Sequence, residues 1–353
     1  MNLSDLRQSI QTEAMSLGFT HIGIAPPLPA PHQQMFLEWI EDGFHADMDY
    51  LARPDTLEKR MDPKKILQDC QSILCLAMPY PAPKTKINVN FAGRGIIASY
   101  AITRDYHEII WEKLTALESY IEESTDLDVH CRSYVDTGPI LERSYAVLAG
   151  LGMVGKNSCL IIQGAGSFFF LAEILTNLPL PVDQPFTSDM CKNCQRCVVA
   201  CPTGCIMPDR TIDASRCISY LTIENKGLIP DNLKAKLGNW VFGCDICQMV
   251  CPHNNNPAGA SQSLGEPLLP EWIDLVELFE DAALFGERYR HTPLARPKRD
   301  GLLRNAAVVL GNQGDVATLP VLESALEGAI DPSVRDACEW AYEQITQKNH
   351  DTD

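Results

Sequence analysis

The stretch CKNCQRCVVACP, Cys191 to Pro202, and its echo CDICQMVCP, Cys244 to Pro252, hold seven of the chain's fourteen cysteines. Cys217 stands well upstream of the second run, in the place of its first cysteine. A [4Fe–4S] cube needs four thiolates at the corners of a tetrahedron, and cysteines two residues apart deliver three of them from one tight loop. In the bacterial two-cluster pattern the cysteine before proline ligates the other cube. That spacing assigns Cys191, Cys194, Cys197 and Cys251 to one cluster and Cys201, Cys217, Cys244 and Cys247 to the second. Zinc is the competing reading, because paired C-x2-C elements also build zinc ribbons. A third cysteine at the same spacing and a following Cys-Pro exceed what a four-ligand zinc site requires. Cys205 fits no ligand position and reads as a small buried residue. The insertion between Cys217 and Cys244, beginning ISYLTIE, leaves room for a partner cofactor.

The composition sets outer limits. A chain of 353 residues, 45% hydrophobic, can bury a sizeable core, and at roughly 100–200 residues per domain it suggests two or three domains. No stretch approaches the ~20 apolar residues of a spanning helix, so no membrane association is expected. The amino terminus, MNLSDLRQSIQTEA, carries Asp5 and no apolar core, so no signal peptide is expected. Reduced thiols and oxygen-sensitive cubes then point to the cytoplasm. The formal charge of −17 argues against indiscriminate nucleic-acid binding. It is not uniform: from Phe285 to Asn305, Arg288, Arg290, Arg296, Lys298, Arg299 and Arg304 stand against Glu287 and Asp300, which is +4 locally and leaves −21 elsewhere. A solvated helix face is the plain account of such a run.

The first ~180 residues alternate helical and strand patterns. Leu3, Leu6, Ile10 and Leu17 recur near the helical period and stop at Gly18, after which HIGIAP reads as a strand. Phe36, Leu37 and Ile40 suggest a helix, and SILCLAMPY, Ser72 to Tyr80, an apolar strand. Tyr106, Ile109, Ile110, Leu114, Leu117 and Ile121 share one face of a long helix. DVHCRSYVD then alternates like a strand, PILERSYAVLAG reads as a helix, and SCLIIQ as a buried strand. The cluster segment is bounded by turn-rich NLPLPVDQPF and NNNPAGASQS. Beyond it LLRNAAVVLGNQ carries apolar residues on one face, followed by a stripe from Val316 to Leu326 and another from Val334 to Ile345. The expected class is α+β: a mixed α/β layer over residues 1–182, a bacterial ferredoxin-like two-cluster domain over 183–256, and HEAT-like helical hairpins over 257–353 that must dock on the rest.

No phosphate-cradling motif is complete. The glycines around Gly93 and in GLGMVGKN lack the remaining residues of a dinucleotide or P-loop fingerprint. Two cubes that move single electrons therefore have no flavin or nicotinamide partner in the sequence. Asp128-Val-His130-Cys-Arg-Ser133 imitates the Asp-x-His-x-x-Gly element that supplies histidine to cobalt in some corrinoid proteins, but Ser133 occupies the glycine position.

Several stretches together resemble the epoxyqueuosine reductases, cobalamin-dependent iron–sulfur enzymes that complete queuosine synthesis on tRNA. These are MDYLARPDTLEKRMDPKKIL from Met48, SYAITRDYH from Ser99, SYVDTGPILERSYAVLAGLGMVGKN from Ser133, GSFFFLAEILTNL from Gly166, the cysteine array, CISYLTIE from Cys217, and PLARPKRDGLLRNAAVVLGNQGD from Pro293. The resemblance covers nearly the whole chain; Met153 and Phe168 stand where tryptophan is common in the family. It implies two [4Fe–4S] clusters feeding cobalamin, and epoxyqueuosine at the tRNA wobble position reduced to queuosine. It makes Asp136 the proton donor to the departing oxygen, with a pKa expected to be raised by burial beside the corrin. On the sequence alone, Asp136 reads first as a residue that begins a turn or caps the helix at Pro139, and the resemblance reverses that. The resemblance further implies cofactor contacts from Arg60, Tyr100, Asp136, Lys156, Asn157, Ser158, Ser219 and Gln248, and tRNA contacts from Arg296, Lys298, Arg299 and Arg304. An external electron donor of the flavodoxin or ferredoxin kind and a monomeric state are expected. Two other readings are a corrinoid reductase of a small molecule, similar to the reductive dehalogenases, and a ferredoxin-type electron carrier.

Overall fold

SILCLAMP forms a strand whose eight residues are all buried, because protein covers both of its faces. The computed structural model describes residues 2–84, 92–255, 264–280, 283–328 and 331–350, so most of the expected linker after the cluster segment, from 256 to 263, lies outside the described residues. In chain order the strands are β1 (His21–Ala25), β2 (Ser72–Pro79), β3 (Arg94–Ile97), β4 (Cys131–Tyr134), β5 (Met153–Val154), β6 (Leu160–Ile161), β7 (Phe169–Thr176), β8 (Trp240–Phe242) and β9 (Trp272–Asp274). The main sheet has the order β1-β2-β7-β4, with every pairing antiparallel.

Alternation along β2 and β7 decides what each face meets. Leu74, Leu76 and Met78, with Ala172 and Ile174, pack against helices Leu3–Ser16 and Tyr106–Glu123 through Leu6, Ile10, Ile110, Leu114, Leu117 and Ile121. On the other face Ile73, Cys75, Ala77 and Leu175 pack against Tyr145 and Ala146 of helix Glu142–Leu148. Glu173 belongs to that second face. It pairs in register with Cys75 on one side and Tyr134 on the other, and is 0% exposed. The expected strand in SCLIIQ shrinks to Leu160–Ile161, paired with β5, because the chain turns back at Gly164 and Gly166, where Ile162 bridges Gly166.

A second sheet joins segments far apart in the chain. β3 lies between β8, parallel to it, and β9, antiparallel to it. Helices Lys298–Gln313, Leu319–Glu327 and Pro332–His350 share its core, which runs from Ile96 through Trp240 and Val308 to Ile345. The sequence intervals 1–182, 183–256 and 257–353 therefore do not divide the hydrophobic core. The observed class is mixed α+β, and no helix among the described residues is long and apolar enough to cross a membrane.

The helix expected to carry one apolar face is instead buried without a break from Leu302 to Gly311. This corrects the expectation for Arg304, which is 1% exposed. Its guanidinium donates to the carbonyls of Leu221, Asn225 and Gly227 and to Asn305 Oδ1. Asn305 in turn donates to Thr222 O and Val241 O. Arg304 cannot reach a phosphate; it staples the C-terminal helices to the segment around Cys217. Burial lowers its pKa to about 10, which leaves it charged. Replacing Arg304 with Met strands several buried carbonyls and should cost roughly 3–5 kcal/mol. A lowered denaturant midpoint with unchanged slope would show this.

Candidate functional site

The loop after β4 carries Val135-Asp136-Thr137-Gly138. Asp136 has φ +57°, the left-handed region, a conformation that costs about 1–3 kcal/mol for a non-glycine residue and persists only where surroundings enforce it. Three bonds hold this loop. Asp136 N–H donates to Glu142 Oε1 at 2.6 Å, Tyr106 Oη donates to Asp136 Oδ2 at 2.8 Å, and Arg60 Nη2 donates to Gly138 O at 3.4 Å. Arg60 is 7% exposed and lies over the Phe36 ring. Asp136 itself, although held on every side, is 61% exposed and faces outward.

The opening of helix Tyr106–Glu123 supplies the partners. Asp105 caps it by accepting from His107 N–H, and the same Oδ1 lies 2.8 Å from His107 Nδ1. The other ring nitrogen, Nε2, lies 3.5 Å from Asp136 Oδ2. Tyr106 is stacked between His107, at 4.1 Å, and Phe170, at 4.2 Å. Tyr100 meets Tyr106, Phe170 and Phe242 at 6.0–6.3 Å, so one aromatic wall runs from the Asp136 loop to the residue two before Cys244.

Desolvation at its site pushes the Asp136 carboxyl up, but the His107 imidazole 3.5 Å away and the hydrogen bond from Tyr106 outweigh it and hold the group below the usual carboxylate range. The expected elevation refers to a carboxyl covered by the corrin, whereas here the Asp136 side chain is exposed. Burial alone would lower His107, yet the hydrogen bond to Asp105 and the nearby Asp136 carboxylate raise it to about 9. Burial and the neighbouring charge of Asp136 push Glu142 up, and burial with Glu142 beside it pushes Glu173 up further. The groups favoured to hold protons are thus His107 and the buried Glu142–Glu173 pair, while Asp136 is favoured as the anion.

The thiols fall into two neighbourhoods. The Cys251 thiol is raised by burial and by the charges of Cys191 and Cys194, and Cys197 by burial and those of Cys191 and Cys251. Cys244 is raised by burial and then by Cys217 and Cys201. All fourteen cysteines are free, a donor set that suits cubes. Cys205 is buried, with its sulfur 3.5 Å from that of Cys201. Met153 packs with Ile161 and Cys251, and Phe168 lies edge-on to Tyr80.

The remaining expected cofactor residues tie the cluster segment to the N-terminal layer. Lys156 Nζ donates to Lys192 O and Cys194 O, Asn157 Nδ2 to Cys247 O, and Ser158 Oγ to Arg210 O. Gln248 is buried and accepts from Ser167 Oγ at 2.9 Å. Ser219 follows Cys217 in helix Ile218–Ile223. His130 sits at the opposite end of β4 from Asp136, half exposed, with Nδ1 2.6 Å from Asp69 Oδ2. In the basic stretch Arg288 pairs with Glu277 and Arg296 with Glu224. Lys298 is exposed, at φ +61°. Sequence reasoning did not select His107, Glu142 or Glu173, and read Tyr106 only as part of an apolar face. The Asp-Tyr-His at a helix start was the one signal available.

Two cysteine runs joined by an aromatic wall to a fixed carboxylate are the makings of an iron–sulfur oxidoreductase. Family models agree: one described as epoxyqueuosine reductase QueG, DUF1730 matches residues 60–137, and a 4Fe-4S double cluster binding domain matches 190–254. An epoxyqueuosine reductase of Cyclobacterium marinum is 40% identical over 302 residues, 84% of this chain and 94% of its own, and that of Escherichia coli is 36% identical over 362 residues, 99% and 92%. The chain belongs to the epoxyqueuosine reductase family. It contains two [4Fe–4S] clusters. Among solved structures, the Bacillus subtilis epoxyqueuosine reductase superposes with a TM-score of 0.87 at 30% identity over 98% of this chain and 91% of that one; its aspartate-bearing catalytic loop is swung out of the active site. An epoxyqueuosine reductase with a tRNA-Tyr epoxyqueuosine-modified stem loop superposes at 0.85 and 28% identity, over 98% and 100%.

The ligand pairing that the cysteine spacing predicts has a direct consequence. Replacing Cys251 with Ala should remove the cube of Cys191, Cys194 and Cys197 and lower iron from about eight to about four atoms per chain. Iron analysis with electron paramagnetic resonance of the reduced protein checks this; loss of both cubes, or of neither, contradicts the pairing.

Proposed function

We propose that this chain reduces epoxyqueuosine to queuosine at the wobble position of tRNA, with electrons passing through its two cubes to a cobalamin seated against the Asp136 cleft. The observation that carries this reading is Asp136 itself. It is a carboxylate fixed in a left-handed loop, exposed to the cleft, and joined by the Tyr106–Tyr100–Phe242 wall to the Cys244 end of the second cluster. The residues present fit a large planar cofactor. Tyr100 and Tyr106 offer an aromatic wall, Arg60 braces the loop from below, and Ser219 stands on the cluster side. Bound there, cobalamin supplies a strongly reducing cobalt centre able to open a carbon–oxygen bond.

Loss of the epoxide oxygen as water takes two electrons, delivered through the cubes, and two protons, one from Asp136 and the second from solvent, which reaches the exposed Asp136 side chain. Asp136 is the proton donor. In the open cleft it is anionic, but a base seated above it displaces water, and a carboxylate deprived of water is harder to keep charged. The proton on His107 Nε2, 3.5 Å away, then passes to Oδ2 and on to the leaving oxygen. Asp105, hydrogen-bonded to Nδ1, keeps His107 oriented for this transfer.

An anticodon-loop base must be splayed out and its backbone held. Arg296, Lys298 and Arg299 are the residues of the basic stretch placed for that work, Arg296 being close enough to Asp136 to feel its charge. Residues 1–182 act as the cobalamin-binding part, 183–256 as the ferredoxin-like wire and 257–353 as a HEAT-like helical support. An external donor of the flavodoxin or ferredoxin type charges the cubes. The protein works in the cytoplasm as a monomer.

Anaerobic cobalamin-loaded protein given a strong reductant and tRNA bearing epoxyqueuosine should remove one oxygen from the nucleoside, read by mass spectrometry. Asp136→Asn should retain both cubes and the corrinoid spectrum while turnover falls about 10²–10⁴-fold; full activity would exclude the acid role. Lys298→Ala with Arg299→Ala should weaken tRNA binding and reduce the salt slope by about one to two. An unchanged slope would remove these residues from the tRNA contact.

A further inference from the structure

Directly behind Asp136 lies a second acidic group that the proton-transfer chemistry does not use. Glu173 sits in the middle of β7, in register with Cys75 and Tyr134, and is fully buried. Neither of its carboxyl oxygens has a donor among the described residues. Its polar neighbour is the carboxyl of Glu142, whose Oε1 accepts the Asp136 amide at 2.6 Å. An unpaired carboxylate in this position would be extremely costly. Two carboxyl groups in contact are stable only if they share a proton, so Glu173 is a carboxylic acid that donates to Glu142.

We propose that Glu142 and Glu173 form a buried carboxyl pair that latches the Asp136 loop, making Glu142 a positioning residue for the proton donor. Glu142 is held from behind by the Glu173 hydroxyl and holds the loop in front through the Asp136 amide. That bond fixes the backbone at φ +57°, a conformation the aspartate would otherwise leave. The inference rests on the function proposed above, in which Asp136 must be aimed at the leaving oxygen. In the Bacillus subtilis relative the corresponding catalytic loop is swung out of the active site, so a loop of this kind has two positions.

The latch depends on its proton. The groups facing the pair are Asp136 in front, Arg143 on the same helix, Arg60 from helix Pro54–Met61, Tyr106 from the next helix, and Cys75 from β2. Both carboxyls are raised, Glu173 by burial and then by Glu142. A carboxyl raised in the folded state stabilises it fully below the ordinary carboxylate range, and that contribution is lost as pH rises through the elevated value. The loop should therefore be held at neutral pH and released under alkaline conditions, when two carboxylates beside Asp136 repel one another.

The test is hydrogen exchange of the peptide spanning residues 131–141 in the cluster-loaded protein, together with turnover. Glu142→Ala should expose the Asp136 amide to faster exchange and lower kcat by up to about 100-fold, with KM for tRNA little changed. Glu142→Gln, whose amide oxygen still accepts from Asp136 and whose NH2 can meet Glu173, should restore most of both. Glu173→Gln should abolish the infrared carbonyl band of a buried carboxylic acid and remove the alkaline loss of protection seen in wild type. Unchanged exchange in Glu142→Ala, or an acid band that survives Glu173→Gln, overturns the latch. If Glu142→Ala does not fold, the exchange–pH profile of Glu173→Gln decides alone. If the wild-type protein does not act on epoxyqueuosine tRNA, the functional reading fails while the exchange data still settle the latch.

Discussion

The four residues of β3 are the constraint on which the site depends. Ile96 N–H donates to Asn239 O and Ala98 N–H to Phe242 O, so the ladder to β8 brings the second cysteine run alongside the Ala98–Ala101 loop. Ser99 N–H then bonds Asp245 Oδ2, one residue past Cys244. Gly243, at φ +67°, passes so close to Ala98 that an added Cβ would come within 2.6 Å of the alanine's own. That approach sets Tyr100 against Phe242 and joins the aromatic wall of Asp136 to the cluster. Without the parallel pairing of β3 and β8, the cubes and the carboxylate would belong to unconnected parts of the chain.

Burial serves two purposes in this molecule. Arg304 is buried to hold structure: its charge is taken up by backbone carbonyls, and it joins the C-terminal helices to the segment that carries Cys217. Glu173 is buried beside the chemistry. It lies on the sheet face that packs under helix Glu142–Leu148, where a hydrophobic residue would pack more cheaply, and a carboxyl there is stable only as an acid. The outward-facing Asp136 carries the negative charge instead, and His107, pinned by Asp105, the nearest proton. The site thus separates a charged donor from the acids that position it.

The basic stretch changes most between composition and structure. Six cations within 21 residues read on composition as a solvated helix face, and through the family resemblance as tRNA contacts. Arg304 faces the core, and Arg288 and Arg296 meet Glu277 and Glu224. The positive surface is smaller than the count implies, and it is placed by Arg296 at the edge of the Asp136 cleft.

The cysteine spacing determined the two cubes, because three thiolates two residues apart can satisfy one corner set from a single loop, and this is a local property. The apolar run at Ser72–Pro79 and the periodicity of Tyr106–Glu123 were legible for the same reason, since each repeats over neighbouring residues. Asp136 was legible through its motif, although its ionisation was not: the Tyr106 hydroxyl and the His107 imidazole, about thirty residues earlier, set it. Arg304 and Glu173 look in sequence like ordinary surface charges. Only the tertiary structure, by fixing which face of a helix or strand meets another segment, decided that one is a buried staple and the other a neutral acid.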